Sequence, residues 1–276
     1  MTSSATRTAP TGLNQLLPGK SREARRVKTG IPELDEMLRG GFMEGDAVLL
    51  AGSAGTGKTT LGLQYLVNGV SKFNEAGVYV TFEELPDRIY RDAGNFGWDL
   101  RRMEEENMFK AVCTSPKLLL ESTNILDETI REIRPKRIVI DSLSHLSMFV
   151  EEGGFRQEAY RLIMQIKTRG ISSLLLWESS GAGNSMMLTD VGLSYLVDCV
   201  IMLKPVEIES SIRKALAVLK MRGSDHDKRL REFEITSTGV KITSAFANYE
   251  GLISGVPRKV ASEKFMDMFR KASDSR

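Results

Sequence analysis

Short, nearly continuous apolar runs recur along the chain at Ala47–Gly52, Gly77–Glu83, Arg137–Ser142 and Ser172–Trp177. Runs of this length without a polar face predict strands buried on both sides. Stretches of helical character separate them: Thr60–Val70, Pro86–Phe96, Leu118–Ile133 and Gly154–Thr168. Buried strands alternating with helices predict an α/β fold with a mainly parallel central sheet covered by helices. The pattern changes after residue 198. Cys199–Lys204, Lys214–Met221, Arg231–Thr236 and Gly239–Ile242 read as strands joined by short turns, an antiparallel C-terminal extension of the sheet. Residues 1–26, rich in Ser, Thr, Arg and Pro, show little periodicity and are expected to form a disordered basic tail. Residues 27–256 are expected to form one domain. Residues 257–276 read as a second basic tail holding a short amphipathic helix.

The 276 residues and 41% hydrophobic content suffice for one large domain. No apolar run reaches a membrane span, and Met1–Lys20 lacks the apolar core of a signal peptide, so a cytoplasmic protein is expected. Cys113, Cys199, His145 and His226 form no metal motif. The net charge of +2 conceals an asymmetry. Residues 1–30 carry +5 and residues 257–276 carry +3, which leaves −6 on the body. Charge therefore gives no support to nucleic-acid binding through the core.

Gly52-Ser53-Ala54-Gly55-Thr56-Gly57-Lys58-Thr59, followed by Thr60, fits G-x-x-x-x-G-K-[ST] between an expected strand and an expected helix. This is the Walker A pattern. Its glycines let the backbone turn its N–H groups toward an anion, and the helix adds the positive end of its dipole. Lys58 would reach the β- and γ-phosphates of ATP, and Thr59 would offer its hydroxyl to Mg²⁺.

Three further groups gain meaning beside that loop. Asp141 ends an apolar strand some eighty residues later, the Walker B position, where it would hold Mg²⁺. Glu83 and Glu84 follow the strand Gly77–Thr81. Neighbours on an extended chain point in opposite directions. One carboxylate can then polarise a nucleophile while the other faces solvent or a structural partner. In Lys220-Met221-Arg222, alternation puts both cations on one face, where they can neutralise phosphate charge. On spacing alone, that run also fits an edge strand wearing surface charges.

The segment Thr29-Gly30-Ile31-Pro32-Glu33-Leu34-Asp35-Glu36-Met37-Leu38, followed by Gly40-Gly41-Phe42, resembles the opening of the KaiC-like branch of the RecA superfamily. Thr81-Phe82-Glu83-Glu84 resembles its paired glutamates, and Asp141-Ser142-Leu143-Ser144 its Walker B strand. Lys220-Met221-Arg222-Gly223-Ser224-Asp225-His226-Asp227, with Arg231-Glu232-Phe233 and Gly239, resembles the segment that supplies its trans-acting cations. The resemblance runs from about Val27 to Lys259. It is strongest to the second ATPase domain of the clock members, and this chain holds a single such domain. The resemblance implies a RecA-like P-loop NTPase fold and a ring, usually a hexamer, with ATP between subunits. It implies Glu83 as general base with Glu84 beside it, and Lys220 and Arg222 acting on the neighbour's ATP. Ser194 and Tyr195 match a Ser-Thr pair that is autophosphorylated in the clock members. The serine is present and the threonine is replaced, so a serine autokinase and an ordinary helix serine both remain open.

In RecA-type recombinases DNA binds to loops that correspond to Leu143–Gly154 and Glu178–Asp190. Neither stretch holds a Lys or Arg, and together they carry Glu151, Glu152, Glu178 and Asp190. Phosphate contacts dominate DNA affinity, so DNA is not expected at the core. Ser262–Lys271 places Phe265, Met268 and Phe269 at helical spacing among basic residues. In the family the matching tail receives a regulatory protein, although here it can equally pack on its own body. The expected function is an Mg²⁺-dependent ATPase acting in regulation and signalling. The alternatives are a RecA/RadA-like DNA-dependent ATPase in recombination or repair, and a nucleotide-gated scaffold.

Overall fold

The computed structural model describes residues 25–121, 123–150, 153–179, 193–246, 249–252 and 258–259. The N-terminal half runs β1 (Arg26–Val27), α1 (Pro32–Met37), β2 (Phe42–Met43), β3 (Ala47–Gly52), α2 (Lys58–Phe73), β4 (Gly77–Thr81), α3 (Pro86–Gly94), α4 (Leu100–Glu105) and β5 (Phe109–Cys113). It continues through α5 (Pro116–Glu121), α6 (Thr123–Ile133), β6 (Arg137–Asp141), α7 (Leu143–Met148), α8 (Phe155–Lys167) and β7 (Ser172–Glu178). After a 3₁₀ turn at Leu193–Tyr195 come β8 (Cys199–Ile208), β9 (Ser211–Met221), β10 (Arg231–Thr236), β11 (Gly239–Ala245), β12 (Tyr249–Glu250) and β13 (Arg258–Lys259).

Nine strands form one sheet in the order β11-β10-β9-β8-β3-β7-β6-β4-β5. Pairings from β8 to β5 are parallel, and those from β8 to β11 are antiparallel. The mainly parallel sheet and its antiparallel extension are thus both present. β3 explains why the inner strands read as continuous apolar runs. Val48 and Leu50 join the core that holds α1, α2 and Phe233. Ala47, Leu49 and Ala51 join the opposite core, built with α6, α7 and α8. A strand sandwiched between helical layers has no solvent face to be polar.

Several expected boundaries change. Leu118–Ile133 is two helices, α5 and α6, rather than one. The edge strand β5 carries a mixed pattern, half-exposed after Phe109, and so gave no apolar run to read. Leu143–Gly154, expected as a loop, begins with the helix α7. Ser144 explains part of this: its Oγ accepts the Glu178 N–H at 2.6 Å, tying α7 to the end of β7.

α2 lies close to β6, and glycine makes this possible. A Cβ at Gly69 would fall 2.6 Å from Arg137 Cδ. Arg137 is fully buried, with its guanidinium over Tyr65 at 4.6 Å and Phe73 at 5.1 Å. Its Nε and Nη2 donate to Glu75 Oε2 at 2.8 and 2.6 Å, and Nη1 donates to the Tyr65 carbonyl at 2.9 Å. Removing one partner of such a pair strands the other in a poorly solvated place. Arg137→Ala should therefore cost about 3–5 kcal/mol of stability. Urea unfolding followed by circular dichroism measures this, and a loss below ~1 kcal/mol would contradict it.

Candidate functional site

Register brings the key strand ends together. Gly52 of β3 lies beside Glu178 of β7, and Thr81 of β4 lies beside Asp141 of β6. All four are at the carboxyl end of the parallel sheet, where open α/β sheets bind ligands.

β3 ends at Gly52 and the chain turns through Ser53–Gly57 into α2. Gly57 is the N-cap residue, with φ of 101°, and no side chain caps the helix. A Cβ there would meet Ile235 Cδ1 at 2.7 Å, so both conformation and space call for glycine. The uncapped first turn leaves the helix dipole and N–H groups to meet an anion. Ser53 and Thr60 are half-buried, Ala54 and Gly55 are exposed, and Thr56 is buried, with Oγ1 donating to the Ser53 carbonyl at 2.8 Å. Lys214 Nζ donates to the Gly55 carbonyl at 3.0 Å, so β9 braces the loop.

Lys58 is buried, and its Nζ lies 2.9 Å from both the Gly52 and Ser53 carbonyls. Burial pushes its pKa down, against the pull of the Glu178 and Asp141 carboxylates. Thr59 Oγ1 donates to Asp141 Oδ2 at 2.7 Å, and the Tyr79 hydroxyl donates to the same oxygen at 2.5 Å. Burial first, and then the Asp141 charge, hold the Tyr79 phenol well above its usual range, so it remains a donor. A hydroxyl and a carboxylate in contact, both oxygen donors, fit a hard cation such as Mg²⁺. Among the described residues no group of three or more His, Cys, Asp or Glu is placed to hold a metal. A cation here would thus complete its shell with phosphate oxygens and water.

β4 stops at Thr81, so strand alternation does not sort Glu83 from Glu84. Both are exposed, and their N–H groups donate to Thr81 Oγ1 at 3.4 and 3.2 Å. Their surroundings differ instead. Glu83 Oε1 lies 2.5 Å from His145 Nε2, and His145 Nδ1 lies 2.9 Å from Ser142 Oγ. Glu84 is pushed up by burial, then by the charges of Asp141 and Asp92.

Lys220 and Arg222 are elsewhere. β9 pairs Lys220 with Val200 and Met221 with Cys199, and Arg222 N donates to the Asp198 carbonyl at 2.8 Å. Asp198 in turn bonds through its N–H to the Ala47 carbonyl. Arg222 is therefore level with the amino end of β3, about 16 Å along the strand from Gly52. The two cations do converge, as one face requires, but on carbonyls of their own chain. Lys220 Nζ donates to Ser194 O at 2.5 Å and Val197 O at 2.9 Å, and Arg222 donates to Tyr195 O at 2.7 Å. Burial, then repulsion from Arg222, lowers the Lys220 pKa. Ser194 is half-buried on the 3₁₀ turn rather than on an α-helix, and Tyr195 is exposed. Glu151, Glu152, most of Glu178–Asp190 and all of Ser262–Lys271 lie outside the described residues.

Tyr79, His145 and Asp198 were not singled out by sequence. Tyr79 hides in an apolar run, and its role depends on the β4–β6 pairing. His145 offered one local signal, its position three residues after Ser142. Asp198 meets Ala47 only through the fold.

The sequence matches the family described as "ATPase: KaiC" over residues 27–246. It is 35% identical over 249 residues to the circadian clock oscillator protein KaiC of Parasynechococcus marenigrum, covering 90% of this chain and 48% of that protein. The KaiC of Synechococcus elongatus is 35% identical over 247 residues, covering 89% of this chain and 47% of its own. For Thermostichus vulcanus the identity is 32% over 249 residues, with 90% and 48% covered. The chain thus spans about half the length of the curated relatives it matches.

Asp198 organises the end of the sheet away from the loop. Its Oδ2 accepts the Ala47 N–H at 2.9 Å and Lys167 Nζ at 2.5 Å, and its Oδ1 lies 3.6 Å from Arg222 Nη1. Neighbouring Asp46 is pushed up to about 6, by burial first and then by the Asp198 charge. A carboxyl with a raised folded-state pKa binds its proton more tightly when folded. Its ionisation therefore removes stability as pH rises from about 4 to 6 and leaves a deficit above that. Asp46→Asn, which can still accept the Met43 N–H, should stabilise the protein by roughly 1–2 kcal/mol at pH 7.5, discounted for partial exposure, and by almost nothing at pH 4. Urea unfolding at both pH values checks this. Equal effects at the two would refute it.

Proposed function

Because the chain belongs to the KaiC ATPase family, we propose that it is an Mg²⁺-dependent ATPase that assembles as a homohexameric ring and acts in regulation in the cytoplasm. The observation that carries the ATPase assignment is the contact between Thr59 and Asp141, made from the first turn of an uncapped, glycine-turned helix to the end of β6. We assign residues 27–256 to the ATPase domain and 1–26 and 257–276 to basic tails, the latter available to a regulatory protein. The oscillator named in the relatives belongs to chains about twice this length, and no clock role is proposed. A DNA-dependent ATPase is not favoured, since the family match is to KaiC.

In this assignment the loop from Gly52 to Thr60 wraps the phosphates, and Lys58 exchanges its bonds to Gly52 and Ser53 for phosphate oxygens. Thr59 and Asp141 would hold Mg²⁺, which when bound would neutralise charge on the phosphates. Glu83 orients and deprotonates the attacking water, with Glu84 beside it. The placement of Arg222 level with Ala47 supports action in trans, because a side chain there cannot span β3 to its own loop. Lys220 and Arg222 then meet the ATP of an adjacent subunit. Ser194 lies on the turn they hold, where it would meet the same ATP. Phosphoryl transfer to Ser194 Oγ would break the bond from the γ-phosphorus to ADP, with the hydroxyl proton passing to the adjacent subunit's Glu83.

Two experiments test these roles. Glu83→Gln should retain ATP binding and lose hydrolysis by roughly 10²–10⁴-fold, measured as phosphate release. A comparable loss from Glu84→Gln alone would move the base by one residue. Arg222→Ala and Lys58→Ala should each be inactive alone. Mixed rings should regain activity at interfaces that join an intact loop to an intact arginine, a contribution of roughly 10³–10⁵ in rate for cations supplied this way. Mixed rings shown by native mass spectrometry to hold both variants, yet without activity, would refute action in trans.

A further inference from the structure

We propose that His145 is a positioning residue for the general base, fixing one oxygen of Glu83 so that the other faces water; this rests on the assignment of Glu83 as base. Glu83 needs such a partner. It lies beyond the end of β4, its side chain is 64% exposed, and its N–H makes a long bond of 3.4 Å to Thr81 Oγ1. An exposed glutamate on a bend samples many rotamers, and restricting them is a real entropic cost at the moment of reaction.

His145 is placed to remove that freedom. Its side chain is 20% exposed and is contacted at both ring nitrogens. The tautomer that satisfies both contacts has Nε2–H donating to Glu83 Oε1 and Nδ1 accepting from the Ser142 hydroxyl. Ser142 holds the ring, and the His145 N–H bonds the Ser142 carbonyl at 3.1 Å, so the imidazole is fixed to the end of β6. α7 is itself tied to β7 by Ser144 and Glu178. The orientation of the base is thus set by α7 and the end of β6, the strand that also carries Asp141, and not by the strand from which Glu83 emerges. One carboxylate oxygen engaged by His145 leaves Oε2 to accept from water.

Substitutions at His145 separate positioning from packing. Glutamine can place an amide N–H near the former Nε2 position. Asparagine reaches only the Nδ1 position. His145→Ala and His145→Asn should lower kcat for ATP hydrolysis by about 10–100-fold with KM for ATP unchanged, and His145→Gln should recover most of the loss. In a Glu83→Gln background, His145→Ala should change the residual rate no further. Alanine, asparagine and glutamine variants with equal losses would reduce His145 to packing and overturn the inference. So would normal turnover in all three, or a full additional loss in the Glu83→Gln background. If Glu83→Gln alone hydrolyses normally, the base assignment falls and the inference falls with it. If Glu83→Gln is slow while the His145 variants are normal, only the inference falls.

Discussion

β3 is six residues long, buried on both faces, and surrounded by β7 and β8. That strand is the constraint on which the rest of the molecule depends. Its carboxyl end becomes the phosphate loop. Its amino end is held by Asp198, which bonds Ala47 through both main chain and side chain. The chemistry of the two ends is opposite. One presents backbone donors and a lysine to an anion, and the other gathers Asp46, Asp198, Lys167, Lys220 and Arg222 into a cluster of opposed charges. A rigid strand cannot bring its ends together, so the cations at one end do not reach the glycine-rich loop at the other. The proposed sharing of a site between copies thus rests on strand polarity and not on any single residue.

Around the loop, the acidic residues are distinguished by what surrounds them. Asp141 receives hydroxyl donors from Thr59 and Tyr79 on one oxygen, a contact set suited to oxygen coordination. Glu83 faces an imidazole. Glu84 lies between other carboxylates and is pushed toward its neutral form. Three acidic groups close together would repel one another if all were equivalent. Different partners separate them instead: two hydroxyl donors for Asp141, an imidazole for Glu83, and burial among other carboxylates for Glu84.

The antiparallel extension serves the loop as well as the sheet. Lys214 of β9 bonds the Gly55 carbonyl, and Ile235 of β10 lies over Gly57. β10 therefore limits the residue type at the helix start. The far end of β9 carries Lys220, with Arg222 just beyond it, so one strand links the loop of its own subunit to the cations proposed for the next.

The chain by itself determined the parallel sheet, because strands enclosed by helices must be apolar throughout, and it determined the loop, because turning a backbone around phosphate demands glycine and lysine at fixed spacing. It also marked Asp141 at the end of a buried strand, where the fold brings Thr59 to it. Tertiary structure alone decided the remainder. β5 escaped notice because an edge strand has no continuous apolar signal. The distinction between Glu83 and Glu84 depends on His145, sixty residues away, and strand alternation could not supply it once β4 ended at Thr81. The bond from Tyr79 to Asp141 requires β4 and β6 to be neighbours. The separation of Arg222 from its own loop requires β9 to run antiparallel past the amino end of β3. Spacing along a chain reports which residues are near in sequence; pairing of distant strands decides which of them share a site.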